Sequence, residues 1–403
     1  MRICIPTFFY KPSGGGVPTY VDNISKKLAE LGHKIDIITV SFDGKKVEKD
    51  GNITVYRLPS MNIFKNDDED NKEKTKKFFK FLKRYMRRKP DIFFAQNMHA
   101  AINGVGHTLA LNMISMEYNI PIVLVVHSFL QEDETEMLKT HLIKDLPWKK
   151  IVCVGSHLAE SLFNKGISSD DIKIINPPVN TEKFKPGLGK KWLRTRVDVS
   201  EKDFVILHAS RLNGKKTAEE KGVYNLLKAL PLIKEKKVKV IFGAAPTAEP
   251  WKEKKKETIE RIKETAKLLG VENRIFIETF DPDSMHLVYN GADLFVMASQ
   301  MESFGLVYAE ALACEIPVIG TSVGGIPEVI EDGKSGELLV PDDHVLLAKT
   351  IKKIIKNYGK MKKMGEYGRK SVIKRFEIEK IAKNIEGLLD SIIKEEKEEK
   401  SKN

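Results

Sequence analysis

Apolar positions along this chain recur with two periods. RICIP opens as a short apolar run and gives way to FFYKPSGGGVP, where three glycines and Pro18 predict a loop entering a helix. From Thr19 to Leu31, Tyr20, Ile24, Leu28 and Leu31 fall at helical spacing, and Gly32 ends the pattern before the apolar run IDIITV. Strand, glycine-rich turn, helix and strand follow in order. The alternation continues through DIFFA, a helix near 106–118, IPIVLVV, WKKIVCV and a helix after Gly155. Runs of β-branched residues separated by helical segments predict parallel sheets covered on both faces.

The pattern breaks at IINPPVNTEKFKPG, where Pro177, Pro178, Pro186 and Gly187 predict a linker. A second set follows: FVILHAS, a helix at 223–236, VKVIFG, a helix at 250–269, RIFIE, LFVMAS, a helix after Phe304, PVIG and LLV. Two doubly wound units are expected, spanning 1–185 and 186–375, with ligand bound at the carboxyl ends of facing strands. A helix over 376–393 is expected to pack back on the first unit. The charge-alternating KEEKEEKSKN at 394–403 is expected to be disordered.

Composition narrows the class. At 403 residues and 41% apolar content, the chain is long for one domain and too hydrophobic for a disordered one. Three cysteines, Cys4, Cys153 and Cys314, lie in apolar stretches, cannot form a disulfide framework, and read as core thiols of a reducing compartment. No window reaches about 18 consecutive apolar residues, so a cytoplasmic chain without a membrane span is expected. The net charge of +12 is concentrated in part between Lys76 and Lys89. No helix-turn-helix, zinc finger or aromatic-basic platform accompanies it, which excludes nucleic acid as the partner.

The stretch with the most chemistry is ASQMESFGLVYAEALACEIPVIGTSVGGIPEVIEDGKSGELLV at 298–340. A helix beginning near Ser303 to Gly305 offers free N–H groups to an anion, and Gly305 permits close approach of a pyrophosphate. Glu302 precedes that helix and Glu310 lies within its first two turns. Both carboxylates suit hydroxyls better than phosphate. Arg211, directly after FVILHAS, and Lys221, before Gly222, are cations at loop positions that can neutralise a departing diphosphate. Lys215 and Lys216 are rivals of Lys221. His127 ends IPIVLVV at the carboxyl end of a strand. Asp281-Pro282-Asp283 could hold a metal but reads as a helix start, and no zinc spacing of Cys and His is present, so no metal or other cofactor is expected.

These residues carry a resemblance. Glu302 and Glu310 separated by seven residues, Phe304-Gly305, Pro317-Val318, Gly324-Gly325-Ile326-Pro327-Glu328 and Gly336 resemble the glycosyl transferases group 1 family. Gly14-Gly15-Gly16, His33, His127, Asn176, Phe184, Arg211 and Lys221-Gly222 extend the match along most of the chain. The resemblance implies the GT-B architecture of two Rossmann-like domains and a retaining, metal-independent transfer of a hexose-type sugar from a nucleoside diphosphate to a hydroxyl acceptor. It implies donor contacts at Gly15, Gly16, Arg211, Lys221, Phe304, Gly305, Leu306 and Glu310, with Glu310 on the ribose diol. Glu302 would contact the sugar, and His127 would lie near the transferred sugar and the acceptor. It further implies front-face transfer, the leaving diphosphate taking the acceptor proton, with domain closure excluding water.

Two positions depart from the family pattern. Glu315 stands where glycine commonly follows the cysteine, and Pro178-Val179-Asn180 replaces Gly-Val-Asp. An epimerase of the same architecture and a non-catalytic nucleotide-sugar binder are the alternatives. An epimerase would need an acid/base set of its own, and the intact Glu302, Glu310, Arg211 and His127 argue against a mere binder.

The segment Lys76–Lys89 adds one further expectation. Phe78, Phe79, Leu82, Tyr85 and Met86 fall on one helical arc of about 120°, opposite Lys76, Lys77, Lys80, Lys83, Arg84, Arg87 and Arg88. A helix covering the first sheet accounts for the aromatic face. The one-signed outer face, with Lys80, Lys83, Arg84 and Arg87, predicts peripheral attachment to anionic lipid at the inner face of the membrane and a lipid or lipid-linked acceptor.

Overall fold

The computed structural model describes residues 1–64, 68–130, 135–235, 237–247 and 251–402. The ends expected for two helices, Lys236 and Pro250, and the last residue, Asn403, lie outside the described residues. Contacts divide the chain into two units: Met1–Lys11 with Val17–Pro178 and Ile378–Asn403, and Pro12–Gly16 with Val179–Glu377. The division at Pro178 falls ahead of the 185/186 boundary read from the sequence.

The first unit contains strands β1 (Arg2–Pro6), β2 (Lys34–Val40), β3 (Lys46–Asp50), β4 (Ile53–Leu58), β5 (Ile92–Gln96), β6 (Ile122–Val126), β7 (Lys150–Cys153) and β8 (Ile172–Ile174). Among the described residues they form one sheet in the order β3-β4-β2-β1-β5-β6-β7-β8, parallel except for β3 on β4. Its helices are α1 (Gly16–Glu30), α2 (Asp68–Tyr85), α3 (Val105–Tyr118), α4 (Glu136–Lys144) and α5 (Ser156–Asn164). β1 and β5 to β7 are almost wholly buried, as helices on both faces require.

Helix α2 is fixed by both apolar and polar contacts. Phe78, Phe81, Leu82, Tyr85 and Met86 are buried, so Phe81 occupies the core where Phe79 was expected. Buried Asp36 in β2 accepts hydrogen bonds from Tyr85 Oη at 2.9 Å and Arg2 Nη1 at 2.9 Å, and pairs with Arg88 at 3.4 Å. A buried carboxylate needs such partners, and here they pin the carboxyl end of α2 to the amino-terminal edge of the sheet.

The second unit contains β9 (Phe204–Ser210), β10 (Val238–Ala244), β11 (Ile275–Thr279), β12 (Leu294–Val296), β13 (Val318–Thr321) and β14 (Gly336–Leu339), parallel in the order β11-β10-β9-β12-β13-β14. Its helices are α6 (Lys191–Arg196), α7 (Lys215–Glu220), α8 (Val223–Ala229), α9 (Lys252–Leu268), α10 (Met285–Gly291), α11 (Leu306–Ala313), α12 (Ile326–Val329), α13 (His344–Lys356) and α14 (Tyr358–Phe376). The strand order reverses between β9 and β12, the switch point at which open α/β sheets bind ligands.

The last helix, α15 (Ile378–Lys402), groups with the first unit. Ile381, Ala382, Ile385, Leu389 and Ile392 form its buried face. Glu379 pairs with Lys27 at 2.6 Å, Glu386 with His33 at 2.6 Å, Glu396 with Lys149, and Lys400 Nζ donates to Asn119 O at 2.7 Å. This corrects the expected disordered tail. The alternating charges of 394–402 continue the helix because the first unit supplies partners for them.

Candidate active site

The second unit concentrates its charge at the head of α11. Gly305 caps the helix at φ 94°, a conformation that favours glycine, and a Cβ there would meet Tyr308 Cδ2 at 2.7 Å. Gly325 lies beneath this turn: its N–H donates to Glu302 O at 3.0 Å, and a Cβ would fall 2.4 Å from Ser303 O. The two glycines let the backbone fold tightly enough to present the N–H groups of Leu306 and Val307, which have no partner among the described residues. A pair of outward N–H groups at a helix start suits an anion.

Two carboxylates flank this head and are held differently. Glu302 Oε2 pairs with Lys221 Nζ at 2.8 Å, while Oε1 accepts from the Ser303 N–H at 3.1 Å. Lys221 also donates to Met301 O at 3.1 Å. Lys215 and Lys216 instead pair with Glu219 and Glu220 on the outer surface of α7, so of the three lysines it is Lys221 that reaches Glu302. Glu310 is 7% exposed and receives a hydrogen bond on Oε2 from Tyr289 Oη at 2.9 Å. Its Oε1 has no partner among the described residues. Burial pushes the Glu310 carboxyl up to about 7, against the pull of Tyr289 and Lys183.

Arg211 follows β9, is exposed, and has no hydrogen-bond or ion-pair partner among the described residues. Leu212 behind it is fully buried with φ 50°, a left-handed conformation that costs a non-glycine residue about 1 kcal/mol. Core packing thus holds the turn that directs Arg211 outward. Gly15, which groups with this unit, has its Cα beside the Arg211 side chain: a Cβ would lie 3.2 Å from Arg211 Cδ. Gly16 begins α1 with no atom close to where a Cβ would stand. The ring of Phe304 is buried edge-on against Phe376 at 5.2 Å, which leaves only its main chain for a ligand. Asp281 accepts from the Asp283 N–H, and Asp283 pairs with Lys183 at 3.1 Å, so this Asp-Pro-Asp caps a turn. Among the described residues no group of His, Cys, Asp and Glu is arranged to hold a metal ion.

In the first unit His127 follows β6 and is lodged in an uncharged setting. Gln96 Nε2 donates to Phe94 O at 2.9 Å, which leaves Gln96 Oε1 as an acceptor for His127 Nε2 at 2.9 Å. Nε2 therefore carries the proton, and Nδ1 is the acceptor. The His127 N–H donates to Asn97 Oδ1 at 3.0 Å, and the Tyr20 ring packs edge-on at 4.7 Å. Burial, helped by nearby His99, lowers the imidazole to about 3 and keeps it neutral. Tyr20, Gln96, Asn97 and Tyr289 were not legible as site residues. Tyr289 lies in MHLVYNGAD, whose pattern reads simply as a helix. The residues proposed for a lipid surface, Lys80, Lys83, Arg84 and Arg87, are all exposed on or just past α2.

Two doubly wound sheets in one chain, parallel but for β3, with paired glutamates at the switch-point helix of the second, match the GT-B fold of glycosyltransferases. Sucrose-phosphate synthase from Thermosynechococcus elongatus has this fold, superposing with a TM-score of 0.82 at 20% identity over 97% of this chain and 98% of that one. The Anabaena protein HepE in complex with UDP-glucose superposes with a TM-score of 0.78 at 20% identity over 97% and 100%. An uncharacterized glycosyltransferase of Methanocaldococcus jannaschii is 23% identical over 402 residues, 95% of this chain and 96% of that protein. The profile named Glycosyl transferases group 1 matches residues 191–371, and Glycosyltransferase Family 4 matches 14–183. By these matches residues 191–371 belong to the group 1 glycosyltransferase family and residues 14–183 to Glycosyltransferase Family 4.

Proposed function

We propose that this enzyme is a retaining, metal-independent glycosyltransferase that moves a hexose-type sugar from a nucleoside-diphosphate sugar to a hydroxyl group of a lipid or lipid-linked acceptor in the cytoplasm, at the inner face of the membrane. The observation that carries the donor assignment is the head of α11. Two open N–H groups suit the diphosphate, and Glu310 is fixed through one oxygen with the other left for a ribose hydroxyl. Glu302, oriented by Lys221, suits a sugar hydroxyl. That HepE was crystallised with UDP-glucose on the same fold agrees with such a donor.

In the proposed step the acceptor oxygen bonds to the anomeric carbon as the bond from that carbon to the diphosphate oxygen breaks. Attack comes from the face the diphosphate leaves, so configuration is retained. The acceptor proton passes to the departing phosphate oxygen, and the products are the glycoside and the nucleoside diphosphate. Arg211 and Lys221 stabilise the charge that develops on the leaving group. His127 Nδ1 is an acceptor for a sugar hydroxyl, and the neutral ring is unsuited to donating a proton at Nδ1.

The test is to incubate the protein with UDP-, GDP- and ADP-hexoses and a lipid acceptor, with and without EDTA, and to assign the product anomer by NMR. The expected product keeps the donor's anomeric configuration and forms undiminished in EDTA. An inverted product would remove the retaining mechanism, and loss of turnover in EDTA would remove metal independence.

A further inference from the structure

The outer surface of the first unit joins two features whose combination has no role in transfer chemistry. Helix α3 buries His107, Ala110, Leu111 and Ile114, yet leaves Leu109, Met113 and Met116 exposed at 42%, 53% and 55%. At about 100° per residue these three share an arc of about 60°. Helix α2 runs beside it: a Cβ at Gly106 would lie 2.5 Å from Thr75 Oγ1, and the Phe78 and His107 rings are 5.1 Å apart. Lys83 reaches across to Glu117 at 3.2 Å, one residue beyond Met116, so the cations of α2 border the apolar stripe.

On that outer side of α2, Lys83, Lys76, Arg87, Lys80 and Arg84 occupy an arc of about 100°. Lys76, Lys80, Arg84 and Arg87 have no ion-pair partner among the described residues. Attraction to the helix dipole explains cations in the last turn but not Lys76 and Lys80, which lie one to two turns further back. The acidic residues of α2 lie toward its beginning, where Asp70 pairs with Lys74 and Glu73 with Lys77.

We infer that this face, the stripe Leu109, Met113 and Met116 edged by the cations of α2, seats the enzyme on an anionic bilayer. The apolar side chains enter the boundary between headgroups and acyl chains, and the lysines and arginines stay among the phosphates. Charge decides the occupant. A second copy docking face to face would bring two cation rows together, and a polyanion such as nucleic acid would gain nothing from the exposed stripe. The inference deepens the lipid-acceptor part of the proposed function and rests on it only for what the docking delivers.

Co-sedimentation tests it, with vesicles of equal parts phosphatidylglycerol and phosphatidylcholine against vesicles of phosphatidylcholine alone. The wild type is expected to pellet with the anionic vesicles at low salt and to remain in solution with the neutral ones. A cation near such a surface raises partitioning on the order of fivefold. The combined Lys80→Gln, Lys83→Gln, Arg84→Gln and Arg87→Gln variant should lose at least about tenfold in partitioning. The Met113→Ser, Met116→Ser variant should lose binding that persists at high salt.

A wild type that stays in the supernatant at low salt overturns the inference, as does undiminished pelleting of either variant. Dimerisation without lipid that the methionine variant abolishes also overturns it, in favour of a contact between copies. All of these positions are exposed, and circular dichroism checks that the variants are folded. Calorimetric binding of UDP, GDP and ADP separates the two ideas. Binding of UDP, GDP or ADP without vesicle binding sinks the docking alone, and vesicle binding with none of the three nucleotides bound sinks the donor assignment alone.

Discussion

The strand ends of the two units present opposite kinds of chemistry. Around His127 the first unit supplies neutral groups: an imidazole held in one tautomer by Gln96, a Tyr20 ring, and the amide of Asn97. Around α11 the second unit supplies charge: an exposed Arg211, the Lys221–Glu302 pair and a buried Glu310. Neutral donors and acceptors read the hydroxyls of a sugar without imposing a charge. The charged head suits a substrate that arrives anionic and leaves more so.

The strongest way to break this contrast is Arg211→Ala. If the guanidinium stabilises developing diphosphate charge, turnover falls by about a hundred- to a thousandfold, with a much smaller loss in affinity for a donor analogue. Equal losses in both would make Arg211 a ground-state anchor.

Glu310→Ala should come next. Hydrogen bonds to a charged acceptor contribute about 1.5 to 3 kcal/mol, so nucleotide-sugar affinity should drop roughly ten- to a hundredfold by calorimetry. Unchanged affinity would remove the ribose assignment.

Titration sharpens the comparison because the two edges respond to pH with opposite signs. Glu310 is raised to about 7 from its usual 4.5, so the native state holds this proton where the unfolded chain has lost it. The Glu310 contribution to stability is therefore fully present below about pH 4.5 and is lost as pH rises to about 7, by an upper figure on the order of 3 kcal/mol. His127 is lowered to about 3 from 6.5, so its contribution is present above about pH 6.5 and is lost as pH falls toward 3. Denaturant unfolding across pH 4.5–8 should show Glu310→Gln gaining stability over wild type with rising pH, and His127→Gln should remove the opposite slope. Donor affinity should weaken by up to tenfold per pH unit below about 7, with proton release on binding near that pH. A pH-independent donor affinity would contradict the raised carboxyl.

The smallest effect belongs to Gln96→Leu, which removes the acceptor for His127 Nε2 at a cost of about 1 kcal/mol, or roughly fivefold in kcat/KM. UDP affinity should stay constant. If it fell as well, the neutral edge would be supporting the charged one.

The parallel strands and the switch-point helix were legible because their signals are local: buried runs of Ile, Val and Phe, and a glycine before a helix. The hairpin of β3 and β4 was not. β3 is KVEKD, an edge strand with every residue exposed, and its charges read as a loop although they suit a sheet edge. The alternating tail failed for the converse reason, since only the fold shows Lys149 and Asn119 waiting for Glu396 and Lys400. Glu315 was legible as a departure from glycine, and its φ of 61° shows the backbone keeping the turn that glycine would take. Tyr289 is a tertiary partner of Glu310, twenty-one residues away. No spacing rule within one helix could reveal it.

The path of the chain bears on how relatives of this enzyme can be recombined. The backbone leaves the first unit at Pro178 and rejoins it at Ile378, and Val179 N–H donates to Phe376 O at 2.8 Å where the two crossings meet. Neither unit is one uninterrupted stretch of gene. A chimera spliced once, near 178, would graft a foreign α15 onto a groove shaped for this one, mismatching Lys27, His33 and Lys149 with their glutamates. Exchange of residues 179–377 requires two splices, at 178 and 377, so that α15 stays with the sequence against which it evolved.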